Sequence, residues 1–105
     1  MKPAIRSALA EADIESALDF YLAEAPAVAG GFIAALERAT RQIESHPGSG
    51  SPRYALDLNI PQLRFLPLQR YPYALFYVEH DDHLHVIRCV HMSRDIPASL
   101  REETE

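Results

Sequence analysis

The chain has 105 residues, 48% of them hydrophobic, with a formal net charge of −5; this length suits a single domain over residues 1–105 with one modest core. No run approaches the roughly 18 apolar residues of a membrane span, Met1–Arg6 holds no apolar run of signal-peptide length, and Cys89, the only cysteine, excludes an intrachain disulfide. A soluble, cytoplasmic protein that does not engage a membrane is expected, and the acidic balance argues against holding a polyanion by bulk charge.

Ala4 to Leu9 reads as a short strand. A helix follows, because Ile14, Ala17, Leu18, Tyr21 and Leu22 fall on one face at a period of 3.6. Glu11, Asp13 and Glu15 occupy its first turns, where the helix dipole favours negative charge. Pro26 disfavours helical geometry at Ala25 and ends it. A second helix starts near Val28, with Val28, Phe32, Ala35, Leu36, Ala39 and Ile43 along one stripe. Gly30 and Gly31 weaken its first turn and leave room for the two helices to approach closely. The run from His46 to Pro52, with its two glycines and two prolines, ends it. The short link at Pro26 makes the pair an antiparallel hairpin.

Arg53 to Gln62 carries alternating Leu56, Leu58 and Ile60 but is flanked by prolines, so its state is open. Three strands come next: Leu63–Gln69, interrupted by Pro67; Tyr73–His80; and Leu84–His91. Asp81-Asp82-His83 marks a tight hairpin between the last two. Pro97 opens a short terminal helix with Asp95 or Ile96 at its cap, and Glu102 to Glu105 are expected to fray. The fold class is α+β in the order β-α-α-β-β-β, with the helical hairpin on one face of a mostly antiparallel sheet. Strict alternation puts Leu84, Val86 and Val90 on one face of the last strand and Ile87 and Cys89 on the other. With no helix left for the second face, an exposed apolar patch is expected there, as at many partner sites.

Lys2 is the only lysine, whereas Arg53, Arg64, Arg70, Arg88 and Arg94 all lie in the second half. Arginine pairs with carboxylates as a fork, so an acidic protein partner fits this pattern at least as well as a phosphate backbone. Among the histidines, His80, His83 and His85 crowd the last hairpin, but a closed zinc site needs about four ligands and no cysteine lies near the turn, so no metal site is expected. Cys89 reads as a small apolar residue.

Several short motifs, in order, resemble the RelE/ParE toxin superfamily, and its ParE-like branch in particular. They are Ala10-Glu11-Ala12-Asp13-Ile14 opening the first helix, His46-Pro47-Gly48-Ser49-Gly50 closing the second, Leu63-Arg64, Tyr71-Pro72-Tyr73-Ala74-Leu75-Phe76-Tyr77, and Val86-Ile87-Arg88-Cys89-Val90-His91 followed by Arg94-Asp95-Ile96. Together they span about Leu9 to Leu100. The resemblance implies the toxin of a type II toxin–antitoxin, plasmid-stabilisation system, bound in a hetero-oligomer by a ParD-like antitoxin. It further implies growth arrest through DNA gyrase, with no cofactor and no sequence-specific nucleic-acid binding; RelE-like relatives instead cleave messenger RNA on the ribosome.

A nuclease needs an acid, a base and cations for the developing phosphate charge. His91, Arg64, Arg88 and Arg94 are the candidates, with His91 suited to proton transfer near neutral pH. The alternative is that His91 ends a strand on a backbone bond while Arg88 pairs with Asp95 or Glu79. The clustered lysines and late tyrosine of RelE-like enzymes are missing here, so an inhibitor is favoured over an endoribonuclease. The partner surface expected is Arg64, Arg70, Tyr73, Arg88, Val90, His91, Arg94 and Asp95, with an antitoxin helix laid in a groove, alone or with an added strand.

Overall fold

The computed structural model describes residues 1–104, with side chains through Leu100. Strand β1 (Ala4–Arg6) leads into helix α1 (Ala8–Glu24) and helix α2 (Pro26–Ser45). A single 3-10 turn (Pro47–Ser49) and a four-residue helix α3 (Ala55–Leu58) precede strands β2 (Leu63–Pro67), β3 (Tyr73–Glu79) and β4 (Leu84–His91), and helix α4 (Ile96–Thr104) follows. The sheet order is β1-β4-β3-β2, with β1 parallel to β4 and the other pairs antiparallel. Among the described residues no helix is long and apolar enough to cross a membrane.

Local chemistry sets these boundaries. The first strand stops at Arg6, earlier than alternation predicts, because the Ser7 hydroxyl caps α1 by accepting from the Ala10 N–H at 3.0 Å. Pro26 takes the first position of α2, where a missing N–H does no harm. Asp95 caps α4, its carboxylate accepting from the Ala98 N–H at 3.3 Å. Helix α4 runs into the segment expected to fray, and Glu105 lies outside the described residues.

The hairpin α1–α2 packs on one sheet face over Ala10, Ala17, Phe32, Ala35, Leu36, Ile43, Leu75, Tyr77, Leu84, Val86 and Cys89. From the expected stripes, Leu22 and Val28 are instead exposed. Gly31 makes room for the Tyr71 side chain rather than for α1: a Cβ there would strike the Tyr71 hydroxyl, which donates to the Val28 carbonyl at 2.7 Å.

The opposite face corrects the sequence reading. It is covered, by α4 and by the segment containing α3, over a second core of Leu63, Phe65, Ala74, Phe76, Val90, Ile96 and Leu100. Tyr54 closes this core against Phe65 and Phe76. The assignment of faces along β4 also changes. Phe76 pairs with Arg88 while Tyr77 pairs with Val86, leaving Ile87 as the extra residue of a β-bulge. The slip moves Cys89 to the face of Leu84 and Val86 and sends Val90 to the other.

Strand addition is blocked along the outer edge of β2. Phe65 already exchanges both backbone bonds with Ser51, at 2.9 and 3.0 Å, the Leu63 N–H bonds the Ile60 carbonyl at 3.2 Å, and Pro67 has no N–H.

Candidate functional site

Strand β1 is three residues long and pairs with β4 only as far as Val86. Beyond that point the edge of β4 needs other partners, and α1 supplies them. The Ser7 hydroxyl donates to the Ile87 carbonyl at 2.8 Å, and the Asp13 carboxylate accepts from the Cys89 N–H at 3.0 Å. Arg88 wraps the same edge. Its Nε donates to Asp13 Oδ2 at 2.6 Å, its Nη2 to Asp13 Oδ1 at 3.0 Å and its Nη1 to the Ser99 carbonyl at 2.9 Å. The forked pair is nearly buried, with side chains 9% and 15% exposed. Arg88 therefore binds α1, β4 and α4 together; its carboxylate is Asp13, not Asp95 or Glu79.

Next to this clasp, between α1 and the turn from β4 into α4, lies a groove of about 330 Å³. Asp13, Ser16, Ala17 and Phe20 of α1 form one wall, and Tyr73, Cys89, His91 and Arg94 form the other. The His91 ring stands edge-on to Tyr73, with centroids 5.0 Å apart. Its Nδ1 accepts from the Ser93 N–H at 3.1 Å and lies 2.7 Å from the Ser93 hydroxyl, which assigns the proton of the neutral ring to Nε2. Burial pushes the Tyr73 hydroxyl above its ordinary range, with Cys89 adding to the effect and Arg94 opposing it, so the phenol is protonated at neutral pH and available to donate. Burial, reinforced by Asp13, pushes the Cys89 thiol up to about 12 against the opposing pull of Arg6 and Arg88. Cys89 lines the groove as an uncharged wall, not as a nucleophile.

Of the eight residues expected at a partner surface, the groove gathers three: Tyr73, His91 and Arg94. Arg64 sits apart, donating from Nη1 to the Gly50 carbonyl at 2.8 Å and more weakly to Gly48 at 3.4 Å. Tyr77 grips the same loop, its hydroxyl donating to the Pro47 carbonyl and accepting from the Gly50 N–H at 3.1 Å. Arg70 is exposed with φ of 70° in the turn between β2 and β3, and Asp95 is used as the α4 cap. Two expectations fail: Arg88 is buried in its ion pair, and Val90 is 1% exposed beneath Ile96 and Leu100. Ser16 and Phe20 were missed by sequence reasoning. Phe20 did carry a signal, since it is a large aromatic off the apolar stripe of its helix, and it is 56% exposed.

The hairpin histidines have other company. The His80 and His83 rings stack at 4.8 Å, and His83 contacts Asp82 at 2.7 Å. Burial, with His80 and His83 behind it, pushes His85 below its usual value. Among the described residues no three metal-ligating side chains converge on a common point. What the groove offers chemically is a set of donors: the Arg94 guanidinium, His91 Nε2, the Tyr73 phenol and the Ser16 hydroxyl.

Comparison with known proteins bears on this architecture. A family model described as the ParE toxin of the type II toxin–antitoxin system parDE matches residues 5–96. Among solved structures, a chain of the chromosomal ParDE toxin–antitoxin system from P. aeruginosa superposes with a TM-score of 0.70 at 19% identity, covering 87% of this chain and 96% of that one. No curated protein sequence matches.

Proposed function

Because the chain belongs to the ParE toxin family of type II toxin–antitoxin systems, we propose that it arrests growth by binding DNA gyrase and blocking it, with no chemistry of its own. A ParD-like antitoxin made alongside it holds it silent in a hetero-oligomer. The groove beside α4, with Tyr73, His91 and Arg94, is the contact surface.

The observation that carries the inhibitor reading is where the cations are. Of the four nuclease candidates, Arg88 is neutralised by Asp13 and Arg64 is spent on the carbonyls of the 48–50 loop. His91 and Arg94 alone are a sparse set for the spread of charge on a phosphate in transfer. The second reading, a ribosome-dependent endoribonuclease, rests on that same pair, an imidazole able to exchange a proton beside a guanidinium able to hold a phosphate.

Inducing the chain without an antitoxin and following plasmid topology on chloroquine gels separates the readings. Gyrase inhibition relaxes reporter plasmids as growth stops. Arrest with normal supercoiling and with message cuts that disappear in His91→Ala would make the enzyme the better account.

A further inference from the structure

The geometry points to a carboxylate as the ligand of the groove, presented on a protein segment with an apolar residue beside it. The inference deepens the reading above and rests on its claim that a protein partner occupies this surface. Four donors line the space: Arg94, His91 Nε2, the Tyr73 phenol and Ser16. The lining holds one carboxylate, Asp13, and three of its roughly four acceptor sites are already used. Oδ2 takes Arg88 Nε at 2.6 Å and the Cys89 N–H at 3.0 Å, and Oδ1 takes Arg88 Nη2 at 3.0 Å. Asp13 is paired with the Arg88 charge, which leaves Arg94 as the full positive charge facing the space. A lining rich in donors, whose one carboxylate is already paired with Arg88, is completed by an anion with two oxygens.

The surroundings decide which anion. The Phe20 ring is 56% exposed at the rim and offers an apolar contact beside the charge. Glu15 and Asp19 are exposed on the same helix, and the chain carries a net charge of −5. A nucleic acid would bring successive phosphates against this acidic helix. A single glutamate or aspartate flanked by leucine-like residues brings one charge to Arg94 and apolar surface to Phe20. The arrangement thus selects an acidic-apolar peptide over a polyanion.

The test uses the isotope-labelled full chain and two probes, acetyl-Leu-Glu-Leu-amide and its Gln counterpart, with a 12-nucleotide single-stranded RNA as the third arm. The Glu peptide is expected to shift the Arg94 Nε, His91 Nε2 and Phe20 ring signals and to bind about tenfold more tightly than the Gln peptide, as a charge-assisted hydrogen bond predicts. Arg94→Gln removes the difference between the peptides, while Asp19→Asn leaves it in place. Equal response to both peptides, shifts away from the groove, or groove signals that answer to RNA and not to the Glu peptide would each overturn the inference. A chain that arrests growth yet ignores the Glu peptide keeps its toxin reading and loses this one. A chain that takes the peptide but never arrests growth loses the toxin reading alone.

Discussion

Replacing Asp13 with alanine is expected to destabilise the fold strongly, although Asp13 lies at the first helix of the chain and its partner near the last strand. Asp13→Ala removes both acceptors of the Arg88 fork and the acceptor of the Cys89 N–H at once. Arg88 then keeps the Ser99 carbonyl but loses both oxygens of Asp13, in a site where its side chain is 9% exposed. Breaking a buried pair by deleting one partner costs about 3–5 kcal/mol, whereas an exposed pair is worth roughly 0–1 kcal/mol. Domains of this size hold roughly 5–15 kcal/mol in all. The loss should lower the melting temperature by at least about 12 °C, taking roughly 4–8 °C per kcal/mol. Urea unfolding followed by circular dichroism reads the change directly. Asp13→Ala combined with Arg88→Met should recover much of the stability, because the buried charge that Asp13 had paired leaves with the arginine. An Asp13→Ala protein within about 1 kcal/mol of the parent would refute the clasp and return Arg88 to the free surface.

Val90→Asp should unfold or loosen the α4 face, not trim a contact with a partner, since Val90 is packed under Ile96 and Leu100; a variant with parental stability and weakened partner binding would contradict this. Tyr77→Phe leaves the buried Gly50 N–H and the Pro47 carbonyl without their partner and should cost about 1–3 kcal/mol by urea unfolding. With its thiol held up at about 12, Cys89 should resist iodoacetamide at pH 8 in the native state and react promptly in urea. The same shift lowers stability at high pH: an unfolded-chain thiol ionises from about pH 8.5, while the folded one stays protonated, so stability present below that pH falls as pH rises toward 12.

The helical hairpin and the strands β3 and β4 were legible because each signal repeats. The stripe from Phe32 to Ile43 recurs over three turns, and Pro26 and the glycine–proline run after His46 punctuate it. The bulge at Ile87 was not legible. In a strand apolar on both sides, a slip of one residue leaves no polar marker out of place, so strict alternation put Cys89 and Val90 on the wrong faces. The four residues of α3 are too few to display a period, which hid half of the cover over the second face. Ile96 and Leu100, four apart, did carry the other half of that signal.

The site divides in the same way. Tyr73, His91 and Arg94 come together because β3 and β4, both read as strands, pair with Tyr73 opposite His91, a register that strand bounds alone do not give. Asp13 and Arg88 are 75 residues apart, and local charge matching offered nearer carboxylates at Glu79 and Asp95. Only the folded edge of β4, bare beyond the short β1, explains why the pair forms there.

The central claim is that this ParE-family chain stops growth as a protein inhibitor of gyrase. The direct measurement is DNA supercoiling by purified gyrase while the purified chain is titrated in. The account predicts loss of supercoiling as the chain approaches stoichiometric amounts, and weaker inhibition by Arg94→Gln at unchanged stability. Full supercoiling activity at several-fold molar excess of correctly folded chain would contradict it.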